Sequence, residues 1–225
     1  PAVAADDAGN FVVAWVSNGQ DGGGTGIYAR RFDSSGTAQG GEFRVNTTTA
    51  NAQLYNDVAM LADGRFVVVY QSRNADNSFE VYLQRYAANG TAIGGETRVN
   101  TTTVSSAQQP ISSVSADEGG NITVVWNSAA DGAGIGVVGQ RFSWNGSAIG
   151  AEFQVNTTTS GDQLWPEVVS QPGGRFIVAW GGNGTGDADG VFFQRYGMAT
   201  NEAGTSATFQ VGLTSQPTDD VTITI

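Results

Sequence analysis

Apolar and polar positions follow a pattern along this chain that returns about every 55 residues. The run FVVAW at 11–15 comes back as FVVVY at 66–70, ITVVW at 122–126 and FIVAW at 176–180. A fixed period of this length is typical of repeat architectures, in which each repeat buries its apolar faces against its neighbours. The function therefore has to be read repeat by repeat.

Each repeat divides, at turns rich in Gly, Asn and Asp, into four short apolar runs, which predicts four antiparallel strands. In the run at 11–15, Phe, Val and Trp alternate with Val and Ala, so both faces of that strand are apolar. A strand of this kind is covered on both sides, as an inner strand of a propeller blade is. The pattern predicts an all-β, propeller-like array of four-stranded antiparallel blades, with a β-solenoid or a sandwich array as the alternative.

The repeats predict a domain over 1–196, with units at 1–54, 55–110, 111–164 and 165–196, and a C-terminal extension at 197–225. The extension departs from the pattern, and two interpretations stay open for it. Its Phe209-Gln210-Val211 keeps the spacing of a fourth strand, so the extension can be a diverged last strand followed by the start of a fifth unit. Alternatively, it is the start of a separate module.

Composition narrows the classes of partner. Ten Lys and Arg stand against 21 Asp and Glu, and the net charge of −11 disfavours nucleic acid and anionic membrane surfaces while leaving divalent cations and neutral glycans open. The chain has no Cys and no His, which removes disulfides, thiol catalysis and the commonest general base. No apolar run is long enough for a transmembrane helix, so we expect no membrane insertion. Pro1 is not a natural translation start, so we expect a piece of a longer protein.

The turn between the second and third strands carries carboxylates beside glycines. Oxygen ligands on such turns are what Ca²⁺ requires, and the alternative is that Asn, Asp and Gly simply form a hairpin turn. The candidate Ca²⁺ ligands are Asp21, Asp131, Asp187 and Asp189. No other cofactor is expected.

Two charged positions recur at the same place in successive repeats. A ring of arginines could bind anionic sugars or carboxylates, but recurrence in every repeat favours a structural role, in which each Arg holds a neighbouring carboxylate or carbonyl. The residues concerned are Arg31, Arg85, Arg141 and Arg195 in the third strands, and Glu42, Glu96 and Glu152 beyond the next turn.

Most of the large aromatic residues share one apolar position of the repeat and are expected in the core. Trp144 and Trp165 lie outside that register. An exposed Trp can stack on a sugar ring, so these two residues are candidate ligand-binding positions, with core packing as the alternative.

Several motifs together resemble the tandem repeats of very large secreted bacterial proteins of the RTX and adhesin kind. The motifs are VVAW, DGGGTG, ARRF and GGEFRVNTTT in the first repeat, and the resemblance covers about 1–196. The segment NEAGTSATFQVGLTSQPTDDVTI resembles the opening strands of a Calx-β or Ig-like module. The resemblance implies an extracellular or cell-surface location and a link with Ca²⁺.

These observations lead us to expect a non-catalytic structural or adhesive module, and not an enzyme. A carbohydrate-binding, lectin-like propeller is the alternative, and a glycoside hydrolase is a more remote one. The expected partners are other copies or neighbouring domains of the same protein, and a glycan. Pairing of the C-terminal strands with another subunit could build a filament. The residues assigned to that assembly are Phe209, Val211, Leu213, Val221 and Ile223.

Overall fold

The apolar runs form strands, and the turn residues between them form the connections. The structure is a computed structural model that describes residues 1–102, 104, 110–129, 132–197 and 210–213. Blade 1 contains β1 (Ala2–Ala5), β2 (Phe11–Asn18), β3 (Thr25–Phe32) and β4 (Phe43–Arg44). Blade 2 contains β5 (Gln53–Met60), β6 (Phe66–Arg73), β7 (Phe79–Tyr86) and β8 (Ala92–Arg98).

The second half of the chain repeats this arrangement. Blade 3 contains β9 (Ser112–Ala116), β10 (Ile122–Ser128), β11 (Gly136–Phe142) and β12 (Ala148–Gln154). Blade 4 contains β13 (Gln163–Gln171), β14 (Arg175–Gly184), β15 (Asp187–Tyr196) and β16 (Gln210–Leu213), with a short 3-10 turn at Pro172–Gly174. In every blade the strands lie side by side in chain order and pair antiparallel. The predicted all-β, propeller-like array of four-stranded blades is confirmed.

The blades stack through the two apolar faces of their inner strands. In β6, Phe66 and Val68 join a core shared with blade 1, whereas Val67 and Val69 join a core shared with blade 3. A third core joins blade 3 to blade 4 and includes Val125. Among the described residues, the four blades therefore share three apolar interfaces.

The blades are arranged as a fan. The first strands of neighbouring blades pack closely, β1 on β5, β5 on β9 and β9 on β13, whereas the fourth strands of neighbouring blades spread apart. The first strands consequently line the inner end of the fan, as the innermost strands of a propeller line its axis. We call β1, β5, β9 and β13 the axial strands.

The recurrent arginines link each blade to the one that follows. Arg31 Nη1 donates to the carbonyl of Asn89 at 2.6 Å, and Arg85 Nη1 donates to the carbonyl of Trp144 at 2.6 Å. Both acceptors lie in the turn between the third and fourth strands of the next blade. Arg141 extends the series by lying over the ring of Phe176, 5.4 Å from the ring centroid.

The recurrent glutamates link each blade to the one before it. Glu96 accepts a hydrogen bond from the backbone N–H of Thr47 at 2.6 Å, and Glu152 accepts one from the backbone N–H of Thr101. Glu42, in blade 1, instead accepts from the side chain of Gln20 in its own blade. The acceptors for the arginines are thus backbone carbonyls, while the glutamates hold the Thr-rich links between blades.

Each Thr-rich link begins at a buried asparagine. The Oδ1 atoms of Asn46, Asn100 and Asn156 accept from the backbone N–H of the third strand at 2.7 Å in each case. The Nδ2 atom of Asn156 also donates to the carbonyl of Thr158 at 2.9 Å and to Gln163 Oε1 at 2.7 Å, which ties the end of one blade to the start of the next.

We expect Asn156→Ala to lower the free energy of unfolding by about 3 kcal/mol, because it leaves a buried backbone N–H and the buried oxygen of Gln163 without their partner. Urea unfolding at fixed pH measures this change. Asn145→Ala is the control, since Asn145 accepts its bonds in an exposed turn. Equal losses for the two variants would contradict the role given to the buried amide.

The last described strand belongs to blade 4. Residues 210–213 pair with β15, with Val191 opposite Leu213 and Gln194 opposite Gln210. This is the place of a fourth strand, and Val211 and Leu213 pair with β15 of their own blade. Their role in assembly with another subunit stays a prediction. Phe209, Val221 and Ile223 lie outside the described residues. The described part of the chain contains no helix long and apolar enough to cross a membrane.

Candidate functional site at the axial strands

The proposed Ca²⁺ ligands that the structure describes lie in blade 1 and blade 4, with Asp21 in the turn after β2 and Asp187 and Asp189 at the start of β15. Asp21 accepts from Asn46 Nδ2 at 3.2 Å and from the backbone N–H of Gly23 at 3.1 Å, so it serves the turn. Asp187 accepts from the backbone N–H of Asp189 at 3.0 Å, and Asp131 lies outside the described residues. The described residues contain no group of three or more acidic side chains placed to hold a metal ion. Calcium binding stays a prediction.

The two off-register tryptophans differ in their surroundings. Trp144 packs against the core of blades 2 and 3, and the guanidinium of Arg65 lies 4.7 Å from its ring centroid. This packing agrees with the core-packing alternative for Trp144, and ligand binding at this residue stays a prediction. Trp165, by contrast, has 63% of its surface exposed, and one edge of its ring lies against Gly181.

One position of the axial strands differs in every repeat. It precedes the first valine of each strand and is occupied in turn by Ala2, Asp57, Ser113 and Glu167. Framework positions keep the same residue type from repeat to repeat, whereas this position changes from a methyl group to a carboxylate or a hydroxyl. The sequence prediction searched for recurrent residues and therefore missed Asp57, Ser113 and Glu167. Comparison of the four repeats for the position that varies would have found them.

The three polar side chains form one connected group across blades 2, 3 and 4. Ser113 Oγ donates to Glu167 Oε2 at 3.0 Å, and the Ser113 hydroxyl also lies close enough to the carboxyl group of Asp57 to lower its pKa. The backbone N–H of Val114 donates to Asp57 Oδ2 at 2.9 Å, and that of Val168 donates to Ser113 Oγ at 3.3 Å. Two carboxyl groups thus lie within reach of a single hydroxyl.

The environments of the two carboxyl groups are unequal. Burial raises the pKa of Asp57, and hydrogen bonds from Val114, Val58 and Ser113 offset this only in part. Glu167 is exposed on its strand. A serine hydroxyl carries one proton, so it can donate to only one of the two carboxyl groups at a time, and the other gains the bond only when it is protonated. The two carboxyl groups therefore differ both in burial and in their relation to the Ser113 hydroxyl.

Two exposed aromatic residues precede these carboxyl groups. Tyr55 and Trp165 occupy equivalent places two residues before Asp57 and Glu167, where the axial strand bulges relative to its neighbour. Both have positive φ angles, 48° and 52°, which is rare for side chains of this size. A bulge redirects a side chain, and strained backbone concentrates at functional sites. The bulges thus leave both aromatic side chains exposed on the strands that carry Asp57 and Glu167.

The raised pKa of Asp57 makes a prediction about stability. A raised native pKa means that the folded state binds the proton more tightly than the unfolded chain does. This contribution is fully present below the ordinary carboxyl pKa and is lost as the pH rises through the native pKa. We expect the stability of the wild type to fall relative to Asp57→Asn as the pH rises from about 4. Urea unfolding of both proteins at several pH values measures this, and a pH-independent difference would contradict it.

Neither a protein-family model nor a curated protein sequence matches the chain. Several solved structures share its fold. A protein of unknown function from Dyadobacter fermentans has a TM-score of 0.60 at 10% identity, over 86% of this chain and 64% of that one. A thermostable family-43 glycoside hydrolase has a TM-score of 0.53 at 14% identity, over 93% and 74% of the two chains. An alpha-L-arabinofuranosidase from Lactobacillus brevis has a TM-score of 0.50 at 8% identity, over 94% and 72%.

At these identities the similarity shows the fold alone, and the chain spans just under two thirds of the Dyadobacter protein. It nevertheless contradicts the prediction that the chain is not an enzyme, because the fold is one that glycoside hydrolases use. That prediction rested on the absence of His and Cys and on the recurrence of the distinctive acidic residues in the turns of the repeats, whereas glycoside cleavage needs only one pair of carboxyl groups. The resemblance to RTX, adhesin and Calx-β-like proteins has no family match behind it.

Proposed function

We propose that the axial strands bind a neutral glycan and cleave its glycosidic bonds. The observation that carries this proposal is the pair formed by Asp57 and Glu167, two unequal carboxyl groups joined through Ser113. Glycoside hydrolysis requires such a pair, one protonated and one ionised. The use of this fold by glycoside hydrolases supports the proposal.

The environments assign the roles. Asp57, whose pKa is raised by burial, is the general acid that protonates the leaving glycosidic oxygen. Glu167, exposed on its strand, acts on the anomeric side, either by activating a water molecule or by attacking the carbon directly. In both cases water supplies the hydroxyl group of the product, and the proton that Asp57 loses is recovered from water. Ser113 positions the two carboxyl groups.

The neighbouring aromatics supply the binding surface. A sugar ring presents C–H groups that stack on exposed aromatic faces, and Trp165 and Tyr55 offer two such faces on the strands that carry the carboxyl groups. The net charge of −11 favours an uncharged glycan over an anionic one. An extracellular location, where a polymeric glycan is met, belongs to the same proposal, and the resemblance to large secreted bacterial repeat proteins is compatible with it.

The experiment incubates the protein with a panel of neutral plant and microbial polysaccharides and measures reducing ends released and binding by affinity electrophoresis. We expect release from at least one polysaccharide, and weaker binding of that polysaccharide by Trp165→Ala and Tyr55→Ala. Val16→Ala, which alters an exposed apolar side chain away from the axial strands, should bind like the wild type. Binding without cleavage would contradict the catalytic step, and the absence of both would contradict the whole proposal.

A further inference from the structure

The outer face of blade 4 is apolar but uncovered by any other described part of the chain. Val191 in β15 is 58% exposed, whereas its counterparts Ile27, Val81 and Val137 are fully buried against the next blade. Val169, on the axial strand of the same blade, is 56% exposed. The residues that bury a following blade in the first three repeats therefore recur in the fourth, where no described part of the chain covers them.

The outer face of blade 1, at the other end of the fan, is also uncovered by any other described part of the chain. In blades 2 and 3 the equivalent face packs against the preceding blade. Val3 is 66% exposed, whereas its counterparts Val58 and Val114 are 6% and 5% exposed against the preceding blade. Phe11 and Trp15 on the same face are only half-buried, although Phe66 and its neighbours at these positions in blade 2 are buried. Blade 1 thus presents the surface that normally receives a preceding blade.

The arginine contacts between blades also run from each blade to the one that follows. Arg195 occupies in β15 the place of Arg31 in β3 and Arg85 in β7, which donate to a turn carbonyl of the following blade. The corresponding turn of blade 1 lies at 33–36, between β3 and β4. Arg195 and the turn at 33–36 are accordingly the two halves of a contact that the chain makes elsewhere.

We propose that the outer face of blade 4 binds the outer face of blade 1 in a second copy of this chain, so that copies associate head to tail. The interface repeats the contacts that join blade 1 to blade 2, with Val191 and Val169 packing on Val3 and its neighbours. Such a contact is heterologous, because it joins two different surfaces and leaves one of each kind free. Further copies can then add.

The alternative of like face against like face is disfavoured by the charges. Two blade 4 faces packed together would bring Arg195 of one copy towards Arg195 of the other, without the turn carbonyl that receives the arginine between blades. Two blade 1 faces would meet without any arginine in this role. The repeat therefore specifies unlike faces. This proposal does not depend on the glycan site.

Two single variants test the direction of the contact. Val191→Asp places a charge on the outer face of blade 4, and Val3→Asp places one on the outer face of blade 1. Both side chains are exposed enough for the carboxylate to be accepted without disturbing the core. Sedimentation velocity measures the mass of each protein over a wide range of concentration. We expect the wild type to associate in a concentration-dependent manner and each variant alone to be a monomer.

An equimolar mixture of the two variants should form dimers and nothing larger, because one intact face of each kind remains. Val16→Asp, on neither face, should associate like the wild type. A monomeric wild type at every concentration overturns the proposal. Loss of association in only one of the two variants, or a mixture that stays monomeric although the wild type associates, overturns the head-to-tail arrangement.

Discussion

Replacing Asp57 by asparagine should lower the rate of glycan cleavage by about 10²–10⁴-fold, which is the usual contribution of general acid catalysis. Asparagine cannot transfer a proton to the leaving oxygen, although its carbonyl can still accept the hydrogen bond from the backbone of Val114. Glu167→Gln should be at least as damaging, since an amide neither activates water nor attacks the sugar. Initial rates on the polysaccharide identified in the panel measure both effects.

The controls separate loss of chemistry from loss of charge. Glu118→Gln and Asp7→Asn remove one negative charge each from exposed positions away from the group formed by Asp57, Ser113 and Glu167, so their rates should stay within about twofold of the wild type. The rate of the wild type should also fall as the pH rises through the raised pKa of Asp57, because only the protonated acid is active. Full activity of Asp57→Asn would contradict the assigned role.

The blades could be predicted from the sequence because their formation depends on local patterns. Apolar residues on both faces of the run at 11–15 mark a covered strand, and its return at 66–70 marks a second blade. The structure confirms this, with Val67 and Phe66 directed into different cores. The sequence of the last blade's fourth strand diverges from the other repeats, and the pairing of 210–213 with β15 identifies this strand.

The site could not be found in the same way, because it depends on contacts between repeats. Asp57 and Ser113 are 56 positions apart, and they meet because β5 packs on β9, where the backbone N–H of Val114 donates to Asp57. The exposure of Tyr55 and Trp165 follows from bulges that a strand pattern does not encode. Selecting residues that recur in every repeat identified framework residues such as Arg31. The same selection excluded the position of Asp57 and Ser113, because the residue there differs from repeat to repeat.

Trp126→Ala should lower the free energy of unfolding by about 3–5 kcal/mol, because it empties a large space in the core between blades 2 and 3. Trp126 is 1% exposed, and Trp180, its counterpart in blade 4, is 3% exposed, so Trp180→Ala should have a similar effect. Trp15→Ala, at the same position of blade 1, should cost roughly 1–2 kcal/mol, since its ring already meets water on one side. Urea unfolding of each variant measures these changes.

The three tryptophans share the residue type, the strand and the position in the repeat. Differences among their losses in free energy of unfolding therefore report how well each blade is covered by its neighbours. Each of the three tryptophan substitutions is made separately in the Val191→Asp protein. This background keeps the protein monomeric and removes any contribution of a second copy to the free energy of unfolding. If Trp15→Ala then costs as much as Trp126→Ala, the face of blade 1 is covered within a single chain, and the open fan is contradicted. If its cost instead increases when Val191 is restored and the protein is concentrated, the second copy is what buries this tryptophan.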